Sequence, residues 1–329
     1  MKLDVNSVVQ ASICMLGLLG AGANGEGMEL DEGAWALRDL MPRYSLGPAP
    51  FPHPTQMDYE LFGDAFAQDD SIKVTDDKQH QKGAIWSKYT LPPNLQNWQT
   101  DLKFRVGGQS GDFFGDGFAL WFVQERGIGG EALGGPDEWN GIGIFFDTYK
   151  NDAFKGKRHP YVYVIPNDGK ININRLERHQ IESGCHIPFR HSEELRTTIA
   201  RVTLNEKNRL TVIMQPEGAD DWVQCVDIAS VELPENLYIG ITAMTGDLVD
   251  KHHMVSIKAY TNVKTDPMSY AHKNDEFQMP DMWDAMRESG HLAREYENWE
   301  KEIMEDTEFD PSEGEDAYQN YYDHHDEDD

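Results

Sequence analysis

The most chemically distinctive stretch of the chain is Ile144 to Asp152, which reads IFFDTYKND. An apolar run typical of a buried strand turns here into oxygen-bearing groups: the carboxylate of Asp147, the backbone carbonyl of Tyr149 and the amide of Asn151. Oxygen ligands at roughly 2.3 to 2.6 Å suit Ca²⁺, which also accepts backbone carbonyls. Acidic turns after strands are more often simply solvated, so the spacing by itself leaves both interpretations open.

Two further turns carry polar groups next to apolar runs. Asp116 stands between two glycines just before the run FALWFV, where a permissive backbone can hold a carboxylate at a sheet edge, facing a polyol hydroxyl. Gly246, Asp247 and Leu248 follow the run LYIGITAM and could offer backbone N–H groups on a tight turn. Each motif alone is a common turn sequence.

Strands are the elements that must position these motifs. Between Tyr59 and Val263 the chain repeats short β-branched or aromatic runs that are bounded by Gly, Asn, Asp or Pro. Ten runs qualify: GAIWSKYTL, NWQTDLKFRV, GFALWFV, GIGIFFDTY, YVYVI, RTTIARVTL, RLTVIM, WVQCVDIA, LYIGITAM and MVSIKAYT. Ten strands without a convincing long helix predict an all-β sandwich or jelly roll. The short polar turn from Asn205 to Asn208 predicts an antiparallel hairpin.

Composition limits the possible partners. The 329 residues can bury one large core, and the formal net charge is −29. Nucleic acid and anionic membrane surfaces are therefore excluded as expected partners, whereas divalent cations or basic protein segments fit. Apart from the N-terminal stretch, no segment reaches the roughly 20 apolar residues that span a bilayer, so we expect no membrane span.

The first residues resemble a secretory leader. An apolar stretch from Val8 to Leu19 follows one Lys, and Ala21-Gly22-Ala23 forms an A-x-A cleavage signal. Cleavage would leave Cys185 and Cys225 as the cysteines of the mature chain, which favours one disulfide in an oxidising compartment. Two unpaired buried thiols are the alternative.

The predicted organisation has five parts: a signal peptide at 1–23, an irregular lead-in at 24–55, the β domain at 56–264, a linker with an amphipathic helix at 265–306, and an acidic disordered tail at 307–329. The helix, near Trp283 and Trp299, is a candidate surface for a protein partner, or else it packs back on the sandwich. We expect His252-His253 to be a surface loop pair.

The region from Tyr59 to Val263 resembles the L-type (legume-type) lectins of the early secretory pathway, the mannose-binding cargo receptors of the ER, intermediate compartment and Golgi. The resemblance is carried, in collinear order, by YELFGDAF, KGAIWSK, GDGFALWF, DEWNGIGIFFDTYKND, the spacing of the two cysteines and LYIGITAMTGDL. It implies a concanavalin-like sandwich that binds high-mannose N-glycans on glycoproteins during cargo transport or quality control, in the lumen or after secretion.

The resemblance also implies roles for individual residues. Asp116 matches the family's sugar-binding Asp, and Gly246 to Leu248 match the loop that closes over the mannose. Asp147, Tyr149 and Asn151 match calcium ligands, with Asn151 also contacting sugar and the Tyr149 ring lying against it. The two cysteines match a family disulfide.

One segment departs from the family pattern. A His and, a few residues later, a calcium-binding Asp are expected before the first cysteine, where this chain reads NDGKININRLERHQIESGC. Asn174 or Arg175 falls at the His position, Glu177 or Arg178 falls at the Asp position, and His179 is displaced. An Arg beside the metal would abolish calcium affinity by charge repulsion, whereas Asp152 or Glu177 could replace the missing ligand.

Two other functions compete with sugar binding. A glycoside hydrolase on this fold needs paired carboxylates, commonly alternating on one strand as E-x-D-x-E, and no strand here has that pattern. The altered segment before Cys185 motivates a degenerate lectin fold that acts as an adaptor and binds protein without sugar. The retained Asp116, Asn151 and Gly246 to Leu248 favour a non-catalytic, calcium-assisted mannose-binding protein.

Overall fold

The computed structural model describes residues 37–109, 113–149, 159–175, 183–191, 196–219 and 221–264. Contacts divide the chain into units 1–271 and 272–329, and every described residue belongs to the first. The predicted leader, the C-terminal helix with its proposed partner role and the acidic tail lie outside the described residues. These three stay predictions, as does the division of the chain into domains.

Within the described ranges the regular secondary structure is almost entirely strand. The strands are β1 (Leu37–Leu40), β2 (Tyr59–Gly63), β3 (Phe66–Ala67), β4 (Ile72–Thr75), β5 (Lys82–Ser87), β6 (Trp98–Gly107), β7 (Gly117–Val123), β8 (Asn140–Asp147), β9 (Tyr161–Asp168), β10 (Gly184–His186), β11 (Thr198–Leu204), β12 (Leu210–Pro216), β13 (Val223–Ile228), β14 (Tyr238–Met244) and β15 (Lys251–Lys264). Short 3₁₀ turns lie at Pro42–Tyr44, Pro54–Gln56 and Ile173–Arg175.

The strands form two antiparallel sheets. One has eight strands in the order β13-β12-β11-β6-β15-β4-β3, with β1 added alongside β15, and the other has seven in the order β10-β9-β8-β7-β14-β5-β2. This confirms the predicted all-β sandwich, and all ten predicted strands are present. The Asn205 to Asn208 turn joins β11 to β12 as an antiparallel hairpin, as predicted. Strand β1 lies inside the stretch that was expected to be irregular and pairs with β15.

The seven-stranded sheet is buried on both faces. The side chains of Phe118, Leu120 and Phe122 on β7 point between the sheets, into the main core. The alternate residues of β7, such as Trp121, belong to a second cluster on the outer face, which Trp139 helps to cover from a loop. This explains why β7 and β8 are continuous apolar runs rather than alternating ones, since a strand covered on both faces has no solvent side.

Strand register brings the candidate site residues to one end of the sandwich. Gly117, the first residue of β7, lies opposite Asp147 at the end of β8. On its other side Gly117 lies opposite Met244, the last residue of β14. The three predicted turns, which are far apart in the chain, therefore leave the sheet at neighbouring positions.

The disulfide between Cys185 and Cys225 is present. Cys185 lies on β10 at the edge of the seven-stranded sheet, and Cys225 lies on β13 at the edge of the eight-stranded sheet. It joins the outermost strands of the two sheets and so closes one side of the sandwich.

The expectation that His252 and His253 form a surface pair is wrong. Both lie on β15 and are buried, at 0% and 8% exposure. His252 Nδ1 is 2.6 Å from the Thr75 hydroxyl, and His253 Nδ1 is 3.0 Å from the Ser71 hydroxyl. Burial lowers the pKa of His252 to about 3 and that of His253 to about 4, so both are neutral near pH 7.

Candidate functional site

Asp116 lies at the end of the sandwich where the candidate site residues meet, and hydrogen bonds of its own backbone fix its position. Its N–H donates to the Met244 carbonyl at 3.3 Å, and its carbonyl accepts the Thr148 N–H at 3.1 Å. The residue is thus bonded to the exits of both neighbouring strands, β14 and β8. A Cβ atom added at Gly246 would lie 3.3 Å from Asp116 Oδ2, so the absent side chain at 246 leaves the carboxylate uncovered on that side.

The turn containing Gly246, Asp247 and Leu248 is fastened to the segment before β5. The His80 N–H donates to the Gly246 carbonyl at 3.1 Å, and Gln79 Nε2 donates to the Asp247 carbonyl at 2.7 Å. His80 Nε2 lies 3.6 Å from Asp247 Oδ1, and both side chains are largely exposed. These bonds use carbonyl groups of the turn, which is consistent with the expected role of its N–H groups as donors to a ligand.

Asp147 is a buried carboxylate at the end of β8, and its residue is only 4% exposed. Its Oδ1 accepts the Tyr149 N–H at 3.1 Å, which sets the direction of the chain after the strand. His159 is also buried, and its Nε2 lies 4.0 Å from Asp147 Oδ2. The Tyr149 side chain is 42% exposed, so its ring is accessible from solvent, and its role against a ligand stays a prediction.

Burial, and to a smaller extent neighbouring negative charge, raises the pKa of both carboxyl groups. For Asp147 burial is the main cause, with the nearby charge of Asp116 adding to it, and the pKa lies well above the usual value. For Asp116 burial, followed by the charges of Glu131 and Asp247, raises the pKa to about 6, against the opposing effect of Lys82. A cation bound nearby would favour the ionised form of both carboxyl groups.

The described part of the proposed calcium set fits a hard cation. It consists of the Asp147 carboxylate and the Tyr149 carbonyl, and both are oxygen donors. Asn151, Asp152 and Glu177 lie outside the described residues, so their part in the set stays a prediction. Within the described ranges no three His, Cys, Asp or Glu side chains form a group that could hold a metal ion.

The start of the segment that departs from the family pattern lies against a different loop. Ile173 N–H donates to the Asp137 carbonyl at 2.9 Å, and Asn172 Nδ2 donates to Glu138 Oε1 at 3.0 Å. Asn174 and Arg175 lie on the 3₁₀ turn that follows from these contacts. Arg178 and His179 lie outside the described residues.

A buried ion pair supports the site from behind. Arg190 Nε donates to Asp250 Oδ1 at 2.9 Å, and the two side chains are 6% and 0% exposed. The Arg190 guanidinium lies 3.7 Å from the ring centroid of Phe114, two residues before Asp116. Asp250 lies two residues after Leu248, the last residue of the Gly246 turn. The pair therefore links the two loops that flank the site.

Three site residues were missed by sequence reasoning, namely Gln79, His80 and His159. Gln79 and His80 stand in a polar stretch, DDKQHQ, that carries no recognisable motif. His159 precedes Pro160 in a loop, and nothing in its neighbours predicts burial beside Asp147. The described residues that sequence reasoning did single out, Asp116, Asp147, Tyr149 and Gly246 to Leu248, lie at one end of the sandwich.

The sequence profile of the Legume-like lectin family matches residues 41–268. The VIP36-like protein of Mus musculus is 30% identical over 236 residues, covering 68% of this chain and 67% of that protein. The vesicular integral-membrane protein VIP36 of Mus musculus is 32% identical over 205 residues, covering 61% of this chain and 56% of that protein. The chain therefore spans about half to two thirds of the length of these relatives.

Solved structures agree with these matches. The exoplasmic/lumenal domain of VIP36 in its Ca²⁺/Man3GlcNAc-bound form superposes with a TM-score of 0.60 at 30% identity, covering 69% of this chain and 94% of that one. The legume lectin-like domain from Entamoeba histolytica has a TM-score of 0.53 at 17% identity, covering 67% of this chain and 98% of that one. The second likeness concerns the fold alone.

Proposed function

This chain belongs to the legume-like lectin family, and from that membership we propose that it is a non-catalytic lectin for high-mannose N-glycans on glycoproteins in the lumen of the secretory pathway. One observation carries the proposal. Asp116 is fixed by backbone bonds to Met244 and Thr148, and its carboxylate faces a glycine turn that leaves it uncovered. The leader-like start, the disulfide and the lumenal domain of the similar VIP36 structure support the compartment.

The binding mechanism follows from the groups at this end of the sandwich. The Asp116 carboxylate accepts hydrogen bonds from adjacent mannose hydroxyls, and charge-assisted bonds of this kind are the stronger ones. The N–H groups of Gly246, Asp247 and Leu248 donate to sugar oxygens from the other side, while the Tyr149 ring covers an apolar face of the sugar. Asn151 supplies a further amide contact.

We propose that Asp147, the Tyr149 carbonyl and Asn151 hold Ca²⁺, with Asp152 or Glu177 completing the set. A Ca²⁺ ion held by these residues would offset the negative charge of this region. His159 lies buried beside Asp147, with its Nε2 4.0 Å from Asp147 Oδ2. A shallow polar site of this type binds one sugar with about millimolar to micromolar affinity, so tight capture of glycoproteins requires several sites acting together.

Isothermal titration of the full chain with a mannose oligosaccharide tests the proposal. We expect heat in calcium that disappears in excess chelator and is lost in Asp116→Asn. Asp227→Asn is the matched control, because this carboxylate lies on β13 at the far edge of the other sheet. Absence of heat in a folded sample would refute sugar binding and favour a protein-binding relative. Equal heat in chelator would refute only the calcium requirement.

A further inference from the structure

Phe113 is the most exposed large apolar side chain in the described part of the chain, at 78%. It stands three residues before Asp116 in the chain. Burying a Phe side chain relative to leaving it in water is worth about 1.5 to 3 kcal/mol, so a ligand that covers this ring gains affinity from the contact.

The loop that carries Phe113 is anchored through its neighbour. The Phe114 ring lies under the Arg190 guanidinium at 3.7 Å, and Arg190 is bound to the fully buried Asp250. Phe114 is therefore held inward while Phe113 stays outside. Phe113 therefore stands next to a residue that is fixed in place, which lowers the conformational entropy that its backbone would lose when a ligand binds.

A second exposed aromatic side chain lies close to this segment. A Cβ atom added at Gly115 would lie 3.1 Å from the Cβ of Tyr149 and 3.6 Å from the Cβ of Leu248. Gly115, which lies between Phe113 and Asp116 in the chain, is thus close to Tyr149 and Leu248. Aromatic rings beside a carboxylate match the chemistry of a sugar, whose hydroxyl groups need hydrogen-bond partners and whose C–H faces need apolar cover.

We propose that Phe113 forms a second subsite, which takes the neighbouring sugar of a mannose oligosaccharide whose first residue is bound at Asp116. Three residues of chain span at most roughly 10 Å, so the ring lies within reach of a sugar linked directly to the first one. The inference rests on the proposed function. It makes Phe113 a determinant of specificity for extended glycans over single mannose units.

The test compares methyl α-mannoside with mannotriose on the full chain in calcium. Phe113→Ala leaves the affinity for the monosaccharide unchanged and lowers that for mannotriose about three- to tenfold, the range expected for one aromatic contact. Phe113→Trp keeps an aromatic face and retains the preference for mannotriose. Tyr89→Ala is the control, since Tyr89 is 44% exposed just after the far end of β5.

Each outcome separates the two proposals. If the unmodified chain binds neither sugar, the lectin function is refuted and the second subsite with it. If both sugars bind and Phe113→Ala weakens both equally or neither, the lectin function stands and the second subsite is refuted. A loss of the same size in Tyr89→Ala would also refute the subsite, because it would indicate a general effect of removing a surface aromatic.

Discussion

Replacing Arg190 with methionine removes the charge that faces Asp250 and keeps most of the side-chain volume. The pair is deeply buried, at 6% and 0% side-chain exposure, and its Nε to Oδ1 distance is 2.9 Å. Removing one partner of a buried ion pair costs about 3 to 5 kcal/mol, because the other charge is left without compensation. We expect Arg190→Met to lower the free energy of unfolding by that amount at pH 8.

The cost should shrink in acid. Burial raises the pKa of Asp250 to about 7 even though Arg190 lowers it, so the variant's carboxyl has a still higher pKa in the folded state. A folded pKa raised above the unfolded value means that the folded chain gains stability as pH falls and loses it as pH rises through that pKa. Near pH 5 Asp250 is neutral in both chains. Only the variant's carboxyl keeps losing stability between pH 7 and pH 8, at about 1.4 kcal/mol per pH unit, so the loss should be about 1 kcal/mol smaller at pH 5 than at pH 8.

Urea unfolding at pH 8 and pH 5, in chelator, measures both values. Arg209→Met is the matched control, because Arg209 pairs with Asp227 at the surface with side chains 51% and 28% exposed. Such a pair contributes about 0 to 1 kcal/mol. A loss in Arg190→Met no larger than in Arg209→Met, or a loss that does not change between the two pH values, would contradict the assignment of a buried, charge-compensating pair.

Three further predictions concern stability. Burial raises the pKa of Asp116 to about 6, so its ionisation destabilises the fold at pH 8. Asp116→Asn should therefore raise the free energy of unfolding at pH 8 without calcium by about 1 to 2 kcal/mol, after a discount for partial exposure. A lower melting midpoint would contradict this. Reducing the Cys185–Cys225 bond, which closes a separation of 40 residues, should cost about 4 kcal/mol in urea unfolding, and a change under 1 kcal/mol would exclude a restraining role. Burial keeps His252 neutral in the folded chain, whereas the unfolded chain binds a proton below about pH 6.5, so this residue makes the unmodified chain about 2 kcal/mol less stable at pH 5 than at pH 7. His252→Gln should abolish that part of the loss. Identical pH profiles of the two chains would refute the prediction.

Local patterns in the sequence were sufficient for the strands and for the polar residues at their ends. Runs such as GFALWFV and GIGIFF are strands because their side chains are apolar on both faces, and the polar residues adjoin them in the chain, Asp116 just before the first run and Asp147 just after the second. The resemblance to a family indicated which of these turns belong to one binding site. None of this depends on knowing which strands are neighbours.

Only the tertiary structure decided what surrounds those residues. The register of β7 against β8 and β14 brings Asp116 next to Thr148 and Gly246, and a shift of one residue would reverse every side chain. The burial of His159 and His252 and the link between sheet edges through Cys185 likewise depend on pairing between distant segments. The local hydrophobic pattern indicates which residues are buried. Contacts between the two sheets depend on how distant segments pack together, so no short stretch of the sequence predicts them.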